Sequence, residues 1–160
     1  MDPDDLIIRQ ARPEEAELLS HMIFRARTYW DYPKAMTDYW TEGGELSVTP
    51  EEMEKNPTYV AEDAEENEVL GFYSIRTAED GCRFIGNLWV APEYVGSRIL
   101  ATLFFHACEL AKTLGSEYLL MISDPNAAVF YEEMGAVRVG EKPARCSDGR
   151  NALPVLRLRL

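Results

Sequence analysis

Apolar positions along this chain recur with two periods, and the alternation between the periods sets out the elements in order. Leu6-Ile7-Ile8-Arg9-Gln10 is a short β-type run. Leu18, Leu19, Met22 and Ile23 then repeat as one face of a helix. Pro13, Glu14 and Glu15 open that helix, where a missing N–H is harmless and negative charge meets the positive end of the dipole. It reaches toward Tyr29, and the aromatic stretch Tyr29-Trp30-Asp31-Tyr32-Pro33 ends in a turn. Met36, Tyr39 and Trp40 mark a less regular second helix, stopped by Gly43-Gly44. Thr49-Pro50-Glu51-Glu52 caps a short helix that ends near Asn56-Pro57.

The remainder is mostly strand. Thr58 to Glu62 and Val69 to Ile75 read as an antiparallel pair around a Glu-rich turn, and Cys82 to Val90 as a third strand ending at Pro92. Ile99, Leu100, Leu103, Phe104, Ala107, Leu110, Ala111 and Leu114 form the apolar face of a long helix that Gly115 terminates. Tyr118-Leu119-Leu120-Met121-Ile122 shows no polar alternation, which predicts a central strand covered on both faces. A short helix carries Phe130 and Tyr131 and stops at Gly135. Ala136 to Val139 and the alternating run Leu153 to Leu160 close the sheet. The pattern predicts one mixed α/β domain over residues 1–160, without internal repeat or linker.

Composition narrows what such a domain can do. A net charge of −12 argues against nucleic-acid binding, which rests on neutralisation of phosphates by Lys and Arg. No apolar run reaches membrane-spanning length, and the acidic start lacks a signal-peptide pattern, so a cytoplasmic protein with no membrane partner is expected. Cys82, Cys108 and Cys146 are too scattered for a disulfide framework or a zinc site, and are expected as reduced, mostly packed thiols with no metal centre. A polyanionic ligand would have to be held by backbone dipoles or a few placed cations.

Two stretches carry a resemblance. Leu88-Trp89-Val90-Ala91-Pro92-Glu93-Tyr94 resembles the strand end and turn before the pyrophosphate loop of the GCN5-related N-acetyltransferase (GNAT) family. Asn126-Ala127-Ala128-Val129-Phe130-Tyr131-Glu132-Glu133-Met134-Gly135-Ala136 resembles a later motif of the same family, in which Asn, Ala, Phe-Tyr and Gly recur at these spacings. The resemblance covers essentially the whole chain. It implies a mostly antiparallel sheet with a central splayed parallel pair, flanked by helices. It also implies acetyl-CoA as acyl donor, its pantetheine along the backbone of Leu88, Trp89 and Val90. Val95, Gly96, Ser97, Arg98, Ile99, Leu100 and Ala101 would hold the pyrophosphate at the head of the long helix. Tyr131 would be the general acid toward the leaving thiolate, with Asn126 and Phe130 contacting the pantetheine or ordering the turn.

The loop departs from the family pattern. Its small positions are filled by Arg98 and Leu100, and its leading Gln or Arg is Val95. Arg98 could offer a guanidinium to the pyrophosphate, or both side chains could occupy the cradle. The strand before the loop reads Phe84-Ile85-Gly86-Asn87, without the carboxylate that often serves as base; Glu62, Asp124 and His21 are available elsewhere, while His106 is expected to be structural or exposed. Trp30 and Tyr32 belong to an aromatic region that could line a pocket for a small amine or simply pack the helices. The expected function is direct acetyl transfer to a small amine, without a covalent enzyme intermediate. The alternative is the fold without catalysis, kept as a ligand-sensing or protein-interaction module. Dimers are common in the family, and the alternating C-terminal strand offers one route to a homodimer.

Overall fold

The computed structural model describes residues 5–29, 48–123, 125–142 and 153–160. Along the chain lie β1 (Leu6–Gln10), α1 (Ala16–Tyr29), α2 (Pro50–Lys55), β2 (Thr58–Asp63), β3 (Glu68–Thr77) and β4 (Arg83–Val90). They are followed by α3 (Ile99–Thr113), β5 (Tyr118–Ile122), α4 (Pro125–Glu133), β6 (Val137–Lys142) and β7 (Leu153–Arg159). The strands form one seven-stranded sheet in the order β1-β2-β3-β4-β5-β7-β6. Every neighbouring pair is antiparallel except β4 with β5, which are joined through α3.

The sheet is covered on both faces, each by the helices whose apolar stripe fits it. On one face Leu103, Phe104 and Ala107 of α3 and Tyr131 of α4 bury against Tyr73, Ile75, Ile85, Leu119, Met121 and Leu156. On the other, Leu19, Met22 and Ile23 of α1 and Met53 of α2 bury against Val60 and Phe72. Adjacent residues of β3 therefore belong to different cores, Phe72 to the α1 side and Tyr73 to the α3 side, as the two-residue period of a strand requires. Gly71 lets α3 approach β3 closely. A Cβ there would lie 2.7 Å from the Trp89 carbonyl oxygen and 3.0 Å from both Leu103 Cδ1 and Val90 Cγ1.

Four details differ from the sequence pattern. Pro13–Glu15 is a 3-10 turn, and the α-helix proper starts at Ala16. Leu18 is exposed, because the buried stripe of α1 runs through Leu19, Met22, Ile23 and Ala26. Among the described residues only one face of β5 is fully covered: Leu119 and Met121 are buried, whereas Tyr118 and Ile122 are exposed and Leu120 is half-buried. Among the described residues α1 and α2 pack over β2 and β3 rather than β5, so the apolar run fills only one face. Cys82 is exposed at a turn and Cys108 is half-buried in α3. The expected second helix around Met36, Tyr39 and Trp40, and Cys146, lie outside the described residues.

Candidate active site

The parallel pair opens into a crevice, and the sequence supplies the device that opens it. Pairing between β4 and β5 covers Phe84↔Leu120 and Ile85↔Met121. Beyond that point β4 continues through Gly86–Val90 on β3, with Ser74↔Asn87, Tyr73↔Leu88 and Gly71↔Val90 in register. β5 instead follows β7, through Ile122↔Val155 and the Ser123 amide, which donates to the Pro154 carbonyl at 2.9 Å. Gly86 is the extra residue where the β3–β4 register shifts, between Ser74↔Asn87 and Ile75↔Ile85. Such a bulge bends and twists its strand, and here it falls where β4 parts from β5. Leu88, Trp89 and Val90 thus lie on the segment of β4 that β5 does not pair.

The head of α3 lies beyond that segment, across the turn Pro92–Tyr94. Gly96 has φ +84, with open space where a Cβ would stand, so a side chain there would strain the backbone rather than clash. The Ile99 amide reaches the Ser97 hydroxyl at 3.4 Å, and the Thr102 amide donates to the Arg98 carbonyl at 2.9 Å. The amides of Leu100 and Ala101 donate to no acceptor among the described residues. Unpaired donors at the positive end of a 15-residue helix are a site for an anion. Val95, Ser97 and Arg98 are exposed, and Arg98 has no ion-pair partner among the described residues. Leu100 packs against the α3-side core. Arg25 of α1 forms an ion pair with Glu93, tying the turn to α1.

The two faces of the sheet carry different groups. On the α3 side, Tyr131 is 6 % exposed and sits in an aromatic cluster, its ring 5.6 Å from Phe104 and 5.5 Å from Phe130. On the α1 side, the Trp89 indole N–H donates to Asn87 Oδ1 at 3.1 Å, and Asn87 Nδ2 donates to the buried Ser74 hydroxyl at 3.1 Å. Sequence reasoning passed over this chain. Its signal was an asparagine beside a glycine inside a strand, both disfavoured there unless something local uses them.

The candidate bases are spread out. Glu62 is held by Arg9 at 2.8 Å, and Arg9 also grips Glu15 with two bonds of 2.9 Å. His21 is exposed on α1, beside a cavity of about 520 Å³ also lined by Arg9, Arg12, Glu62 and Glu68. His106 is structural: its Nδ1 lies 2.6 Å from the Tyr73 hydroxyl. Burial lowers the His106 pKa and raises that of Tyr73, so both groups are held neutral and share this hydrogen bond. Burial likewise pushes the Cys108 thiol up to about 11. Asp124, Trp30 and Tyr32 lie outside the described residues, as does the side chain of Asn126, whose backbone belongs to the first turn of α4.

The sequence profile of the acetyltransferase (GNAT) family matches residues 21–136, most of the chain. The chain belongs to that family. Its fold is shared with solved members at low identity. A GCN5-related N-acetyltransferase from Rhodopseudomonas palustris is 22 % identical, with TM-score 0.81 over 100 % of this chain and 99 % of that one. The PaiA N-acetyltransferase of Thermoplasma acidophilum, solved with coenzyme A, is 16 % identical, with TM-score 0.74 over 97 % and 98 %. A GNAT acetyltransferase from Elizabethkingia anophelis, with acetyl-CoA bound, is 15 % identical, with TM-score 0.66 over 98 % and 99 %. No curated protein sequence matches the chain.

Proposed function

We propose that this chain is an N-acetyltransferase, one catalytic domain over residues 1–160, that passes the acetyl group of acetyl-CoA directly to a small amine. The observation that carries the reading is a coincidence of two features. A strand edge freed at Gly86–Val90 runs toward a helix whose Leu100 and Ala101 amides have no acceptor among the described residues. The first feature offers backbone to a pantetheine amide chain, and the second offers donors and a dipole to a pyrophosphate. Acetyl-CoA supplies an activated acyl thioester. The residues of the chain bind it, exclude water from one side through the Phe104, Phe130 and Tyr131 cluster, and place the Tyr131 hydroxyl as proton donor to the leaving sulfur.

Arg98, exposed at the helix head, adds a permanently charged fork toward the phosphates. The alternative, a fold that has lost its ligand, required the side chains at 98 and 100 to fill the cradle. An outward Arg98 and a core-packed Leu100 favour binding. With no helix among the described residues long and apolar enough to cross a membrane, we read the enzyme as cytoplasmic. The test is release of CoA thiol from acetyl-CoA in the presence of a panel of amines. Turnover by the wild type and its loss in Tyr131→Phe, with acetyl-CoA still bound, is the expected result; an equally active Tyr131→Phe would remove that residue from the mechanism.

A further inference from the structure

At the apex of the crevice, where a base would be useful, the α1 side of β4 presents an amide. Asn87 stands two residues past the last β4–β5 pair, at Ile85. Its orientation is fixed by chemistry. The Trp89 indole nitrogen is a donor only, so the atom facing it at 3.1 Å is Oδ1, and Nδ2 therefore faces the Ser74 hydroxyl at 3.1 Å. Trp89, Asn87 and Ser74 form a chain across two strands, with Ser74 itself buried. Each end of the amide keeps capacity: one lone pair on Oδ1 and one N–H on Nδ2 remain. Among the described residues the carboxylates Glu15, Glu52 and Glu62 are engaged by Arg9 and Arg76, and β4 itself contains no Asp or Glu; Asp124 lies outside the described residues.

We propose that Asn87 receives the acceptor amine as its free base, orienting it through Oδ1, and that the enzyme selects amines of α-amino type over ε-amino type. This rests on the acetyl-transfer reading above. A neutral amide accepts a hydrogen bond from the amine but takes no proton from an ammonium. In this proposal the nucleophile arrives already deprotonated, its extra proton lost to water. The N–C bond then forms as the C–S bond breaks; the amine loses one proton, the thiolate gains one, and the protein ends unchanged. Specificity follows from the free-base fraction. With ordinary values near 7.7–8.0 for an α-amine and 10.4 for a lysine side chain, the α-amine holds about 200- to 400-fold more free base at pH 7.

The experiment compares two probes with the full chain: a short unblocked peptide without lysine, and an Nα-acetylated lysine amide. The expected result is a kcat/KM advantage of about 200-fold or more for the peptide at pH 7. The acid limb of each profile should follow that probe's own amine. In Asn87→Asp, a carboxylate at the same place should narrow the preference at least tenfold and give both probes a common inflection. Asn87→Ala should lower kcat/KM for the peptide while leaving the acetyl-CoA Kd within twofold. A shared inflection in the wild type, or equal use of both probes, overturns the proposal. In both cases the acetyl-transfer reading stands, as it does when protein that binds acetyl-CoA acetylates neither probe but turns over another amine of the panel, which also overturns the proposal; binding with turnover of no amine overturns both. Wild-type protein that binds no acetyl-CoA overturns both.

Discussion

Gly71→Ala tests the packing that shapes the crevice. The new methyl would stand 2.7 Å from the Trp89 carbonyl oxygen and 3.0 Å from Leu103 Cδ1 and Val90 Cγ1. Leu103 can rotate away, but the carbonyl belongs to the β3–β4 ladder and moves only with the strand. Overpacking of this kind costs about 1–3 kcal/mol. Loss of glycine's freedom in the unfolded chain returns about 0.4–1 kcal/mol. The middles of the two ranges leave a destabilisation of about 1 kcal/mol, or a Tm lower by about 2–4 °C for a domain of this size. Because the segment that must shift is the one β5 leaves unpaired, acetyl-CoA should also bind several-fold more weakly. Gly140→Ala is the control: its Cβ meets nothing within 4 Å, and its Tm should be unchanged or slightly raised. Scanning calorimetry with one titration of each variant suffices. An unaltered Tm in Gly71→Ala, or an equal fall in Gly140→Ala, would refute the close approach of α3 to β3.

The other consequences are shorter. Tyr131→Phe should lower kcat by about 100-fold or more while the acetyl-CoA Kd stays nearly constant, as expected for a lost general acid; steady-state kinetics beside calorimetry separate the two. Arg98→Ala should weaken acetyl-CoA binding by about tenfold, the loss of one charge-assisted hydrogen bond, with kcat little affected. The Arg9 guanidinium, by hydrogen bonding, holds the Glu15 pKa below its usual value. Its stabilisation is therefore present above about pH 4.5 and disappears as the pH falls through the lowered native value. Arg9→Met should cost about 1–3 kcal/mol near neutrality, between the limits for exposed and buried pairs. Urea melts of wild type and variant should converge in acid; a constant gap at all pH values would show that the pair is not the cause.

Much of this arrangement was legible in the sequence because it depends on short-range pattern. The stripe through Leu103, Phe104 and Ala107 predicted α3 and its buried face, and Gly115 its end. The splayed parallel pair came with the family resemblance, but its cause did not. Gly86 acts as a bulge only because Ser74 and Ile75 sit opposite, a register set between strands far apart in sequence. The Arg9 ion pairs with Glu15 and Glu62, and the Tyr73–His106 bond, escaped for the same reason. β5 misled because five apolar residues look alike whether one face is covered or two. In the sequence Asn87 registers only as the absence of a carboxylate; that it is locked between Trp89 and Ser74 emerges from the pairing of β3 with β4.

Isothermal titration of the protein with acetyl-CoA tests the account most directly. It should show a saturable heat with one equivalent bound per chain, reduced about tenfold in affinity by Arg98→Ala. Absence of any saturable heat at millimolar acetyl-CoA would contradict the assignment of the β4–β5 crevice and the head of α3 as the donor site.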